Sequence, residues 1–167
     1  RIKMHEAMDQ ALVEIKKEAV EFEKVFGRRY DPVEPYMTED ADIVLVTSGT
    51  AASTARFAVD QMRRKGKRVG NLRVRTLRPF PFADIREHLK NAKKIAIIDR
   101  NISYGYHGIF AQEIKSALYG HSKAPVFNFI AGLGGRDIFH ETIMNIVADV
   151  KKMKRPEQDL YWVEVKR

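Results

Sequence analysis

Three short stretches carry the residue types from which an anion or nucleotide site is built. "TSGTAAS" at 47–53, "DRNISYGYHG" at 99–108 and "GLGGRD" at 132–137 each set glycine beside hydroxyl, amide or charged side chains just before a helical pattern. Glycines in such a place let backbone N–H groups converge on a phosphate at a helix N-terminus, often with a lysine or arginine to assist. None of the three has P-loop spacing or the complete GxGxxG fingerprint, because "GYHG" and "GLGG" lack the remaining positions. The alternative for each is a plain strand-to-helix turn. In the first, Gly49 makes the turn and Thr50 or Ser53 caps the helix. In the last, Gly134 and Gly135 beside Arg136 and Asp137 form a backbone nest, an ion-paired hinge or a tight turn.

Other chemistry finds less support. The histidines, His5, His88, His107, His121 and His140, are scattered without metal-ligand spacing. No nucleophile, base and orienting group can be named together, so no catalytic residue, metal ligand or cofactor-binding residue is assigned. The chain has no cysteine, which excludes disulfides, a thiolate zinc site, a cysteine nucleophile and a cysteine-ligated iron–sulfur cluster on it. Any redox centre must sit on another polypeptide.

A net charge of +8 is spread along the chain, and "MRRKGKR" at 62–68 is its dense run. That run falls at a helix end, where cations complement the dipole, with a polyanion site as the alternative. Nucleic acid is not expected as a partner. Nor is a membrane, since no apolar stretch approaches the ~20 residues needed to cross a bilayer. The reading is an intracellular, cytoplasmic protein, and Arg1 in place of methionine suggests a fragment or processed product.

The elements that must position these stretches follow from periodicity. Met4, Met8, Ala11, Ile15, Ala19, Phe22 and Phe26 recur at helical spacing ahead of Gly27, which predicts one long amphipathic helix. Pro32 and Pro35 then mark an extended connector through 28–40. From there apolar β-branched runs at 42–47, 68–77, 93–99 and 125–132 alternate with helical patterns. This alternation predicts an α/β fold with a doubly wound, mostly parallel sheet and helices on both faces. The organisation expected is helix arm and linker at 1–40, the α/β domain at 41–150, and a tail or edge strand at 151–167. Arg73 and Arg75 share one face of their strand and point to a solvent, interface or anion-facing edge. Two prolines make the "RPFP" turn, 78–81, rigid.

Taken in order, "LRPFP", "IAIIDRNISYGYHG", "EIKSALY" and "FIAGLGGRD" resemble the C-terminal part of the α subunit in the pyruvate:ferredoxin oxidoreductase (pyruvate synthase) family. The resemblance runs from "MHEAM" to "YWVEV" and implies a transketolase C-terminal-like domain. It also implies that the complete enzyme decarboxylates a 2-oxoacid, with pyruvate favoured over 2-oxoglutarate by the "DRNISYG" segment. Thiamine diphosphate with Mg, coenzyme A and iron–sulfur clusters would serve that enzyme, none bound by this chain alone. Partners implied are β-, γ- and δ-type subunits and an N-terminal domain, with ferredoxin an indirect one. Alternatives are a stand-alone nucleotide- or coenzyme A-binding module, or a domain of a transketolase or 2-oxoacid dehydrogenase.

On this resemblance the 100–108 stretch is expected to pack against a neighbouring domain or subunit. Asn101, Tyr104 and Tyr106 would be contact residues, and Gly105 and Gly108 would give a partner's backbone room to approach. Gly134, Gly135, Arg136 and Asp137 are further loop candidates. Family members often carry Thr-Pro after "GGRD"; here Phe139 and His140 follow Ile138, which leaves Asp137 as the expected cap of the last helix.

Overall fold

The computed structural model describes residues 1–165. Six strands form one sheet in the order β1-β3-β2-β4-β5-β6, with β1 Val33–Tyr36, β2 Ile43–Ser48, β3 Val69–Val74, β4 Lys94–Asp99, β5 Val126–Ile130 and β6 Tyr161–Trp162. All pairings are parallel except β1 with β3. Helices α1 Ile2–Phe26, α2 Ala51–Arg64, α3 Phe82–Leu89, α4 Ile109–Leu118 and α5 His140–Lys152 complete the fold.

Strands β2 and β4 are apolar almost throughout because helices cover both faces. On one face Leu45, Ala96, Ile98 and Phe127 pack with Val59 and Met62 of α2 and with Ile143 and Val147 of α5. On the other, Val44, Val46, Ile95 and Ile97 pack with Ile85 of α3 and Ile114 of α4. Four buried alanines on α2, at 51, 52, 55 and 58, leave little between helix and sheet and so allow close approach.

One departure from the sequence expectation concerns the β1 edge. Residues 28–40 are not wholly a linker: Val33–Tyr36 forms an antiparallel edge strand on β3, with Glu34 opposite Arg73. Pro35 is tolerated because an edge strand has one side free of ladder bonds. Of the alternatives for Arg73 and Arg75 the anion-facing one is seen, with a carboxylate of the chain itself: Arg75 bonds Glu34, and Arg73 lies 3.7 Å from it. At the far edge β6 runs parallel to β5, and residues 166–167 of the tail lie outside the described residues.

Helix α1 ends at Gly27, whose left-handed backbone (φ 65°) directs its N–H to the Glu23 carbonyl. Ala19 is its buried residue, and Lys16 reaches Asp84 of α3 at 2.7 Å. Met4, Met8, Phe22 and Phe26, at the two ends of the apolar stripe, remain exposed. Among the described residues no helix is long and apolar enough to cross a membrane.

Candidate functional site

Leaving aside the edge strand β1, the order β3-β2-β4-β5-β6 changes direction between β2 and β4. In open parallel sheets a ligand crevice lies at that point, beyond the carboxyl ends of the strands. The three glycine-containing loops flagged in the sequence, after β2, β4 and β5, all emerge at this end.

The loop after β4 has its anion-binding capacity already used. Asp99 is the last residue of β4, and strand alternation sets it on the face shared with Ile95 and Ile97, beneath the start of α4. Its Oδ1 accepts the Phe110 N–H at 3.1 Å and its Oδ2 the Ala111 N–H at 3.1 Å. Asn101 Oδ1 accepts the Ile109 N–H at 2.7 Å, and Asn128 Oδ1, from β5, accepts the Gly108 N–H at 3.1 Å. The four N–H groups that a helix N-terminus leaves unsatisfied are thus all paired with side chains of the chain itself. Both asparagines turn their NH2 groups back on Asp99, Asn128 at 3.2 Å and Asn101 at 3.4 Å. No N–H of this helix N-terminus is left for a phosphate.

Asp99 is fully buried, and desolvation pushes its carboxyl up to about 6 against the N–H groups of Phe110, Ala111, Asn101 and Asn128, which favour the carboxylate. Gly108 packs directly on it: a β-carbon there would overlap the carboxylate. The expectation that Gly108 leaves room for a partner is corrected accordingly; the space it leaves belongs to Asp99. Asn101 is half-buried with its amide spent inside the loop.

The rest of the loop faces outward on a tied backbone. Ser103 N–H bonds the His107 carbonyl and Tyr106 N–H the Ser103 carbonyl, both at 2.9 Å. Gly105 takes φ 77° at the tip, with open space around it. Tyr104 and Tyr106 are 90% and 59% exposed. Behind them, burial and the nearby Lys115 hold the His107 imidazole below its usual range, and Lys115 Nζ lies 3.4 Å from its Nε2.

Arg100 ties the three loops together. Its guanidinium donates to Thr50 Oγ1 at 3.0 Å and to the Arg136 carbonyl at 3.1 Å, across the point where strand order reverses. Arg136 in turn donates to the Glu164 carbonyl at 2.5 Å, and Thr142 to the Glu164 carboxylate at 2.7 Å. Thr50 consequently caps nothing: α2 starts without a side-chain cap bond, and its first turn is closed by Ala52 N–H to Gly49 and Ser53 N–H to Thr50.

The "GLGGRD" loop is a 3-10 turn, Leu133–Gly135, with Gly134 and Gly135 in the left-handed region and Arg136 and Asp137 exposed. The expected Asp137 cap is not formed. Helix α5 begins at His140 after an extended Phe139 in the cap position, and no side chain caps it. Asp137 stands two residues too early to reach the first-turn N–H groups. A cavity of about 420 Å³ lies beside this turn, lined by Leu133, Gly134, Arg136, Trp162 and Val165 among others.

With this geometry in place, comparison with known proteins decides the family. The model of the pyruvate:ferredoxin oxidoreductase core domain II matches residues 41–143. The chain belongs to that family. It is 40% identical over 166 residues to pyruvate synthase subunit PorA of Methanothermobacter thermautotrophicus, covering 99% of this chain and 42% of that one. The ketoisovalerate oxidoreductase subunit VorA of Pyrococcus abyssi is 37% identical over 172 residues, covering 100% of this chain and 44% of that one. The chain thus spans less than half the length of these relatives.

Among solved structures, the 2-oxoglutarate:ferredoxin oxidoreductase of Magnetococcus marinus, with 2-oxoglutarate, coenzyme A and succinyl-CoA bound, matches with TM-score 0.56 at 21% identity. The match covers 77% of this chain and 21% of that one. A split gene transketolase in an inactive β4 tetramer matches at 0.58 and 16%, over 76% and 44% of the two chains. At these identities the likeness is one of fold.

The residues that organise this end of core domain II, Asp99, Arg100 and Asn128, are not singled out by the sequence reading. A polar residue inside "VFNFI" and an acid closing "IAIID" were the available signals, since a buried polar group must find a partner.

Proposed function

We propose that this chain is the core domain II portion of the α subunit of a 2-oxoacid:ferredoxin oxidoreductase, and that its own task is to dock neighbouring parts of that enzyme. The complete enzyme oxidises pyruvate to acetyl-coenzyme A in the cytoplasm and passes electrons to ferredoxin. Thiamine diphosphate with Mg would supply the decarboxylation chemistry, and iron–sulfur clusters would carry the electrons. The loop cluster at the carboxyl end of the sheet does not fit those groups. Among the described residues no three His, Asp or Glu converge as metal ligands, the chain has no cysteine, and the α4 N-terminus has no free N–H for a diphosphate. They are assigned to other domains and to β-, γ- and δ-type subunits.

The observation that carries the docking role is the contrast within the 100–108 loop. The Asn101 amide is turned inward and paired on both its oxygen and its nitrogen, while two tyrosines project from a hydrogen-bonded backbone. Rigid, exposed aromatics lose little conformational entropy on burial and are enriched at interfaces. Asn101 acts here by fixing the loop, Gly105 by opening its tip, and Gly134, Gly135, Arg136 and Asp137 form the adjoining exposed rim.

An antibody against this chain, used to deplete an anaerobic extract, tests the enzyme assignment. Loss of pyruvate- and coenzyme A-dependent reduction of a viologen dye supports it; full activity after complete depletion contradicts it.

A further inference from the structure

The opposite end of the sheet carries a feature that docking does not use. Where β2, β3 and β4 begin, a cavity of about 540 Å³ opens, lined by Asp42, Lys65, Lys67, Arg68, Lys93, Lys94 and Lys151 over a floor of Ile43, Val69 and Val147. Six cationic side chains meet a single carboxylate. They arrive from the α2–β3 turn, the α3–β4 turn, β4 and the end of α5.

Helix ends and ion pairs account for three of these cations. Arg68 chelates Asp42 at 2.7 and 3.0 Å, and Lys93 reaches the same carboxylate at 2.9 Å, which holds it below the usual carboxylate range. Lys94 Nζ donates to the Val150, Lys151 and Met153 carbonyls at 2.9, 3.0 and 2.6 Å, and so satisfies the end of α5. The end of α2 is closed by its own backbone: Lys65 and Lys67 N–H groups bond the Met62 carbonyl and Gly66 N–H the Arg63 carbonyl. The ammonium groups of Lys65, Lys67 and Lys151 therefore have no part in capping, and among the described residues they have no ion-pair partner. All three are exposed, so water screens them from one another and each ammonium group is free to meet an anion.

We propose that this cavity is a binding site for an organic phosphate carrying at least two negative charges, such as a nucleoside diphosphate. Lys65, Lys67 and Lys151 would hold the phosphates, and their methylene stems would lie along the ligand body, because Ile43, Val69 and Val147 beneath them are nearly buried. A volume of about 540 Å³ is in the range of small-molecule sites. The proposal is independent of the docking role and lies at the other end of the sheet.

Titration calorimetry of the full-length subunit with ADP, adenosine and pyrophosphate tests it. ADP should bind at least tenfold more tightly than either part, because the charges and the apolar lysine stems act together. Lys67→Glu/Lys151→Glu, two exposed positions outside the core, should weaken ADP tenfold or more without changing the melting temperature. Absence of ADP binding at millimolar concentration would overturn the proposal. So would ADP binding that the double variant leaves unchanged, or pyrophosphate binding as tight as ADP.

Discussion

The Asp99 carboxylate accepts the Ala111 N–H at 3.1 Å, so the last residue of β4 caps helix α4 from across the 100–108 loop. Strand end and helix start are locked into one unit, and the loop between them is fixed at both ends. Asp99→Ala removes the acceptor for both Phe110 and Ala111 and should destabilise the fold by about 2–6 kcal/mol, since each unpaired N–H costs ~1–3 kcal/mol. Urea unfolding of the variant beside the parent chain measures it.

Protonation gives the same residue a pH signature. Its folded pKa of about 6 lies above the ordinary value of 3.8, so between these the folded state binds the proton more readily than the unfolded state. Its contribution to stability is full below the lower value, declines as pH rises through that window and is flat above it. The shift is worth roughly 3 kcal/mol. The unfolding free energy of the parent relative to Asp99→Asn, measured at several pH values, should show this decline. A parent that gains stability relative to the variant over the window would contradict the assignment.

Gly108 tests the contact from the other side. Gly108→Ala forces a β-carbon into the Asp99 carboxylate and should cost about 1–3 kcal/mol by overpacking. In an Asp99→Gly background, which removes the Asp99 β-carbon together with its carboxylate, the same change should cost distinctly less, and the double-mutant cycle reads that coupling.

Arg100 is exposed, so its removal should leave global stability nearly unchanged. Its hydrogen bonds to Thr50 and Arg136 nevertheless hold two loops to a third. Arg100→Met should therefore accelerate amide exchange in residues 49–53 and 133–137 while the core strands keep their protection.

The alternation of apolar strands and amphipathic helices made the doubly wound sheet legible in the sequence, because a strand covered on both faces must be apolar nearly throughout. Strand β1 was not legible: four residues holding Pro35 are defined by pairing with β3, far along the chain. The α4 cap was hidden for a related reason. Asp99 and Asn128 meet only through the parallel register of β4 and β5, which aligns Asp99 with Ile130. Asp137 illustrates the converse, since a residue of the right type near a helix start caps it only when the backbone places it at the cap, and Phe139 holds that position.

The docking role of the 100–108 loop is tested most directly in the assembled oxidoreductase carrying Tyr104→Ala/Tyr106→Ala. Both side chains are exposed, so the chain should fold as before. Subunit affinity should fall at least tenfold, with pyruvate- and coenzyme A-dependent viologen reduction falling alongside it. Unchanged association together with unchanged turnover would contradict the account.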